Sequence, residues 1–300
     1  MISQRKLIPY LFLSPGLFLL GLTVFFPGLQ AFYLSFFNYD LLQSPTWIGL
    51  QNFQQLWNDI TFWKTLQNTL LYILIVVPVL AIAPLGLAIL VNQKLKGIYW
   101  FRAIYYIPVI ISMVVAGIAW KWLYSETGFL NQSIQYILSF ILPESAIPPI
   151  PWLTSPNLAL FSVMMVTIWK GLGYYMVIYL AGLQSIPQEL YEAANLDGSQ
   201  GWQQHWDITL PLMKPYLILV AVISAISATK VFEEVYVMTQ GGPVNSSKTL
   251  VYYIYEKAFQ SLEIGYACTI GLILFLIVLG LSILRLTINR LTQDSYPSSF

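Results

Sequence analysis

The sequence predicts an all-α integral membrane protein with six transmembrane helices and both termini on the cytoplasmic side. Three observations carry this: an oily, charge-poor composition, six apolar stretches of bilayer length, and basic residues gathered on one side of those stretches. Hydrophobic residues make up 57% of the chain and charged ones 9%, whereas soluble domains average about 45–50% and about 25%. The net charge of +1 leaves no footprint for nucleic acid. No Lys/Arg-rich run marks a polybasic lipid-binding segment, so membrane lipid enters as solvent for the spans. Cys268 and His205 are the sole residues of their types. An intramolecular disulfide, a CxxC or a Cys/His metal spacing is therefore unavailable, and a Ser/His triad has little to build on.

A helix needs about 20 mostly apolar residues to cross the bilayer core, which places spans at about 8–36, 68–92, 102–124, 158–183, 215–238 and 263–286. The first resembles a signal peptide, with Arg5 and Lys6 ahead of an apolar run. That run is longer than the ~7–15 residues of a signal core and ends in Phe32, Tyr33, Phe36 and Phe37 instead of a small-residue cleavage site, so it reads as a retained span. The second contains Pro78, Pro84 and Gly86, a combination that breaks soluble helices and that a bundle absorbs. The third has Trp100, Tyr105 and Tyr106 at one end and Trp120, Trp122 and Tyr124 at the other, as interfacial aromatics do. Met164 and Met165 in the fourth read as packing residues.

Orientation follows from the basic residues. Arg5, Lys6, Lys94, Lys96, Arg102, Lys214, Arg285 and Arg290 fall on one side, against Lys64, Lys248 and Lys257 on the other. The positive-inside rule makes the first side cytoplasmic. The external loops are then 37–67, 125–157 and 239–262. The middle one sets Pro143, Pro148, Pro149 and Pro151 around Trp152, a stiff, extended segment that suits a docking surface or an ordinary loop equally. No internal repeat is visible by eye, and no linker divides residues 1–300, which read as one transmembrane domain.

The cytoplasmic loop 184–214 contains EAANLDGSQGWQQHWDITLP, a polar stretch between two of the most apolar segments. A short helix is expected from near Pro187, with Gln188 and Glu189 in its first turn, where negative charge suits the dipole, and with Ala193, Ala194 and Leu196 on one face. Gly198 ends it. A second short helix is expected from about Gly201 to Asp207, with Pro211 marking the turn back towards the membrane. The bland reading of this knob is a connector at the membrane interface.

Glu192, Ala193, Ala194, Gly198, Ile208, Leu210 and Pro211 fulfil the pattern E-A-A, three residues, G, nine residues, I, one residue, L-P. In a loop between two spans, this resembles the coupling loop of membrane subunits of binding-protein-dependent ABC importers. The stretches PYLFLSPGLFLL, WIGLQNFQQLWND, LQSIPQELYEAANLDG and KVFEEVYVMTQGGP are similar to carbohydrate permeases of the maltose, lactose and glycerol-phosphate type, and the likeness covers nearly the whole chain. It implies the type I ABC importer permease fold. It also implies these partners: a second homologous permease subunit, two ATP-binding subunits that hold ATP and Mg, a periplasmic or lipid-anchored solute-binding protein, and a carbohydrate ligand. The chain itself has no GxxxxGK[ST] phosphate loop, so no cofactor is expected in it, and it is expected to be a transporter subunit and not an enzyme. The resemblance assigns ATPase coupling to Glu192, Ala193, Ala194, Asp197, Gly198, Ile208, Leu210 and Pro211. His205 departs from the family, which usually has an aromatic such as Phe there.

Ionisable groups inside spans cost about 2.5–3.5 kcal/mol at a helix centre on insertion scales and usually face a cavity or a partner. Lys170 in TIWKGLGYY and Lys230 in SATKVFEEV are such groups. Carried over from the maltose-type subunit, the substrate pathway is expected at Thr167, Lys170, Gly171, Tyr174 and Ser224. Lys230 and Glu233 join that set as ionisable groups inside a span. Ala228 and Val231 replace amides of the family pattern. The alternative is that Lys170 and Lys230 pair with Glu233 or Glu234, or reach towards the headgroups, without touching a ligand. The turn TQGGPVNSS, 239–247, reads as structural, with contact to the binding protein as the alternative. A self-sufficient secondary carrier is the competing function, resting on Glu233 and Glu234 as coupling-ion carboxylates. An intramembrane enzyme lacks the convergent acid, base or metal groups.

Overall fold

The computed structural model describes residues 2–40, 42–93, 96–141, 148–199 and 201–293. Lys94 and Pro143, and the side chains of Arg5, Lys6, Arg285 and Arg290, lie outside the described residues. In chain order, α1 (Ile2–Leu20), a π turn (Gly21–Phe25) and α2 (Phe26–Leu34) precede a two-residue antiparallel ladder of β1 (Phe37–Asn38) and β2 (Thr46–Trp47). Then come α3 (Gln51–Asn58), α4 (Ile60–Val91), α5 (Ile98–Ile110), α6 (Met113–Leu123), α7 (Phe129–Leu138) and α8 (Ala159–Gln184). The chain continues as α9 (Gln188–Leu196), α10 (Trp202–Gln204), a π turn (His205–Thr209), α11 (Leu210–Thr229), α12 (Glu233–Met238), α13 (Leu250–Tyr255), a third π turn (Glu256–Gln260) and α14 (Ile264–Gln293).

Four helices among the described residues are long and apolar enough to cross a membrane: Pro9–Leu34, Ile60–Val91, Ala159–Gln184 and Trp202–Thr229. Three expectations are corrected here. The third stretch is not one helix, because α5 and α6 meet at a 100° bend; Pro108 removes a backbone donor, and Ile111 is extended at φ −71°, ψ 134°. The fifth is displaced: its helix begins at Trp202 and ends at Thr229, and Glu233–Met238 is a separate helix. Pro211 does not turn the chain, since the helix runs through it.

The reason is visible in the backbone. Proline lacks an N–H and its ring crowds the carbonyl four residues back. The π turn His205–Thr209, closed by Leu210 N–H donating to His205 O, widens the helix just before Pro211. Gly21–Phe25, closed by Phe26 N–H donating to Gly21 O, does the same before Pro27. Each proline is thereby carried inside a continuous helix.

The chain forms two compact units. The first comprises Met1–Phe62 and Tyr253–Ile277. Its ladder, in register Phe37 to Trp47, is fixed to α3 by the Asn52 amide, which donates to Ser35 O (2.9 Å) and Phe37 O (3.0 Å). Phe36 stacks on Trp47 at 5.7 Å.

Asp59 ties this unit together. Its Oδ2 accepts from Tyr253 (2.5 Å) and Tyr266 (2.6 Å), and its Oδ1 from Thr61 N–H (2.8 Å). Burial pushes the carboxyl pKa up, but the two phenols and the Phe62 and Thr61 amides outweigh that and hold it below its ordinary value. Burial and the same carboxylate push the Tyr253 phenol up. A lowered acid pKa in the folded state contributes stability that is present above the ordinary carboxylate range, about pH 4, and lost as pH falls through the lowered value. Tyr253→Phe is therefore expected to destabilise the purified protein by about 1–2 kcal/mol at neutral pH, with the difference from wild type shrinking on acidification. Thermal unfolding in detergent from about pH 7 down to about pH 2, roughly spanning the window, checks this; a gap that stays constant down to the acid end would reject the assignment.

The second unit comprises Trp63–Tyr252 and Val278–Phe300. Its core is α8, which buries Val163, Met164, Val166, Met176 and Tyr179 against Tyr72, Val76 and Leu80 of α4 and Met213 and Val220 of α11. Met165, by contrast, is exposed. In lipid, helices gain little from apolar burial and are held by close packing and interhelical hydrogen bonds. Tyr179 donates to Ala81 O at 2.7 Å, and Tyr124 to Ser162 O at 3.2 Å. Arg102 caps α4, with Nη2 at 2.6 Å from Val91 O. In the segment expected to be extended around Trp152, Asn131 of α7 accepts from Ile150 N–H (2.9 Å) and Trp152 Nε1 (3.3 Å), so a polar clasp orders it.

Candidate functional site

The α8 sequence KGLG decides how closely its neighbours approach. A Cβ on Gly173 would collide with the Tyr105 carbonyl oxygen and come within 3.1 Å of Tyr106 Cα, so α5 lies with its backbone against α8. That approach brings the α5–α6 break to Lys170. The ammonium donates to Ile111 O (2.6 Å), Val109 O (3.1 Å) and Pro108 O (3.3 Å). One turn before it, the Thr167 hydroxyl donates to Glu234 Oε1 (3.2 Å) and so accepts from Tyr72 OH (2.6 Å).

The opposite wall is the end of α11. Helix geometry stops at Thr229, whose hydroxyl turns back to Ala225 O (2.7 Å), and Thr249 donates to Val231 O (3.0 Å) in the unwound link. The link sets Lys230 and Glu233 at the surface of the cavity, with Glu234 half-buried beside them. Among the described residues no ion pair joins Lys170 or Lys230 to Glu233 or Glu234. The expected alternative of lysine–glutamate pairing is thus replaced, for Lys170, by backbone carbonyls.

Between these walls lies a cavity of about 510 Å³, within the range of small-molecule sites. Thr167, Lys170, Gly171, Tyr174, Ser224, Lys230 and Glu233 all line it. Tyr174 is 44% exposed, its ring edge-to-face with Tyr175 at 5.1 Å, while Ser224 is buried and donates to Ala221 O (3.0 Å). Reading the sequence missed Ser227, Phe232 and Tyr175, which also line the cavity, and Tyr72 and Gly173, which hold its wall. The KGLG spacing was the available signal for Gly173, since small residues mark close helix contacts in membranes. Tyr72 had none. A second cavity, about 820 Å³, lies among α6, Pro151–Thr154 and the 239–243 turn, lined by Trp122, Trp152, Lys121 and Glu126. In that turn Ser247 Oγ is 2.6 Å from Gly242 O and 2.8 Å from Thr239 Oγ1, a knit that accounts for the motif structurally.

The 184–214 loop forms the expected first helix, α9, closed by Gly198 at φ +85°, a left-handed conformation that costs a non-glycine residue about 1–2 kcal/mol. Glu192, Ala193, Leu196 and Asp197 are exposed and Ala194 is half-buried, so the three apolar residues share no buried face. The expected second helix is three residues, α10, continuing through the π turn into α11. Gln204 ties the two together, donating to Asn195 Oδ1 (2.8 Å) and Ser199 O (2.9 Å), and Ser199 donates to Asp207 (3.2 Å). Ile208, Leu210 and Pro211 are half-buried beneath the knob. His205 Nδ1 is 3.2 Å from Thr209 Oγ1, which also meets Tyr191 OH (2.9 Å), and its ring is edge-to-face with Trp202 at 5.6 Å. It packs as a ring. Leu196 (90% exposed), Trp202 and Trp206 leave an apolar surface uncovered.

Among the described residues no group of three or more His, Cys, Asp or Glu side chains could hold a metal. The polar groups that line the first cavity are instead hydroxyls, the ammonium groups of Lys170 and Lys230 and the carboxylates of Glu233 and Glu234, set beside aromatic rings. Residues 61–292 match the family described as binding-protein-dependent transport system inner membrane component. The chain is 37% identical over 290 residues to the probable ABC transporter permease protein YurN of Bacillus subtilis (strain 168), covering 95% of this chain and 97% of that protein. It is 34% identical over 288 residues to the arabinooligosaccharides transport system permease protein AraP of Halalkalibacterium halodurans, covering 95% and 88%. Among solved structures, it is similar to a chain of a bacterial alginate ABC transporter crystallised with an alginate pentasaccharide-bound periplasmic protein (TM-score 0.79, 25% identity, 94% of this chain and 93% of that one). Broken apolar helices around a polar cavity, a glycine-hinged polar knob and a match over most of the chain converge: this protein belongs to the inner-membrane components of binding-protein-dependent ABC transport systems.

Proposed function

We propose that this subunit carries a carbohydrate across the cell membrane and that Thr167, Lys170, Gly171, Tyr174, Ser224, Lys230 and Glu233 form the wall of its pathway. The observation that carries this reading is the single cavity gathering all seven residues, where hydroxyl and charged groups sit beside the exposed Tyr174 ring and the half-buried Phe232 ring. Sugars need both, hydrogen-bond partners for their hydroxyls and a flat apolar face for stacking. The arabinooligosaccharide name of one relative and the alginate pentasaccharide of the related assembly support the substrate class. Glu233 and Glu234 need no coupling ion in this scheme, and the family match sets the self-sufficient carrier aside.

The partners follow from the same reading. A second permease subunit completes the pathway, two ATPase subunits bind ATP and Mg, and a solute-binding protein docks on the external loops, where the 820 Å³ cavity opens. The topology has six spans with both termini cytoplasmic: the four long helices, the bent α5–α6 pair, and α14, which is apolar over Ile264–Gly280 among the described side chains. The loop holding Glu192, Ala193, Ala194, Asp197, Gly198, Ile208, Leu210 and Pro211 docks the ATPase. Its exposed Leu196, Trp202 and Trp206 supply the apolar contact, and its continuous helix into α11 passes displacement to the unwound link at Lys230.

The test is ATP hydrolysis by the complete complex, with its binding protein, across a panel of neutral and acidic mono- and oligosaccharides, with amino acids, peptides and inorganic ions beside them. Stimulation of about tenfold or more by one carbohydrate class is expected. Stimulation only by amino acids, peptides or inorganic ions would overturn the substrate class and leave the family intact.

A further inference from the structure

We infer that Lys170 is a positioning residue that pins the α5–α6 break, so that the bent backbone, and not a lysine–substrate bond, is what its charge maintains. This rests on reading the cavity as the transport pathway. A break inside a membrane exposes carbonyls that lipid cannot solvate, and unwound backbone persists there only where other groups satisfy it. The last carbonyls of α5 are in that position, lacking helical partners and carrying the negative end of the helix dipole.

Lys170 matches this need in number and sign. An ammonium has three N–H donors and no acceptor, and the three carbonyls of Pro108, Val109 and Ile111 lie within 3.3 Å of it. No carboxylate on the far wall is in contact with it, since neither Glu233 nor Glu234 forms an ion pair with it among the described residues. The α6 side of the break is closed separately, by Ser112 Oγ accepting from Val115 N–H at 3.4 Å. Val109 and Met113, on either side of the break, line the cavity. The bend angle therefore sets the cavity wall, and Lys170, through its bonds to Pro108, Val109 and Ile111, sets the bend. With its donors occupied, it leaves ligand contacts to Tyr174, Lys230 and Glu233.

The experiment places spin labels at Ile104→Cys and Ile118→Cys, both exposed positions flanking the break, in a Cys268→Ser background of the assembled transporter. With Lys170→Met, the inter-label distance is expected to broaden and lengthen by several Å, towards the ~21 Å spanned by that length of unbroken helix. Lys170→Arg, which keeps the charge and the donors, restores the wild-type distribution. Using the most stimulating carbohydrate of the panel, maximal ATP hydrolysis in Lys170→Met should fall about tenfold while the half-saturating concentration stays within about twofold. Unchanged distances with a half-saturating concentration raised about tenfold would make the lysine a ligand, overturning this inference while sparing the carbohydrate reading. Unchanged distances and kinetics would overturn it as well. Should Lys170→Met fail to assemble, Lys170→Gln, an uncharged donor, reads the same distance and is expected between wild type and Arg on one side and the loosened state on the other. If no carbohydrate stimulates hydrolysis, the distance arm still decides the question.

Discussion

Gly173→Leu is expected to remove nearly all assembled transporter from the membrane, a loss of about 3 kcal/mol or more in stability, at the upper end of overpacking costs. The added side chain has nowhere to go, because already its Cβ would overlap the Tyr105 carbonyl and press on Tyr106 Cα. Both are backbone of α5, so relief requires moving a helix. Gly171→Ala is the informative control: its Cβ would come 2.8 Å from Leu80 Cδ2, the movable end of a flexible side chain, and a cost below about 1 kcal/mol is expected. Recovery of the detergent-solubilised complex and its thermal inactivation measure both variants. Equal losses would show that side-chain crowding in general, and not contact between the α5 backbone and α8, limits the fold.

The second large effect falls on the knob. Gly198→Val is expected to cut uptake at least tenfold, because a β-branched residue does not accept φ +85°, whereas Gly198→Asn, which tolerates the left-handed region, retains most of it. Space is not the obstacle, since a Cβ there would meet nothing within 4 Å. Glu192→Lys tests the surface instead of the backbone: Glu192 is exposed, so the knob keeps its fold while its charge towards the ATPase is reversed, and a similar loss of uptake is expected. Co-purification of the ATPase with each variant separates lost attachment from lost transmission. Normal uptake in Gly198→Val and Glu192→Lys together would remove the loop from the coupling path.

How much of this was readable beforehand differs from residue to residue. Glu192 to Pro211 stood out because polar residues at fixed spacing between apolar runs have no business in lipid, and Gly198 could be read as a terminator because few residues other than glycine enter the left-handed region readily. Pro211 misled for the opposite reason: a proline reads locally as a stop, but a π turn one step earlier lets the helix pass. Of the seven cavity residues, Lys170, Lys230 and Glu233 stand out as ionisable groups inside spans, a signal that composition alone supplies, whereas Thr167, Gly171, Tyr174 and Ser224 rest on the family resemblance. Composition is silent about partners: the nearby glutamates are the acceptors the sequence offers Lys170, and in the fold its acceptors are carbonyls.

From the sequence alone came the membrane class, the approximate spans, the polar loop at 192–211 and the family, all of which depend on local composition and spacing along the chain. Only the tertiary structure decided that the third apolar stretch breaks by 100°, that Lys170 holds that break, and that Thr167 links Tyr72 to Glu234. These are contacts between residues distant in the chain, and hydropathy is silent about which backbone a glycine lets approach. The break itself is the clearest case. Ile111 is as apolar as a helix in lipid requires, and its extended conformation is tolerated because a cation from another helix satisfies the carbonyls that the bend sets free.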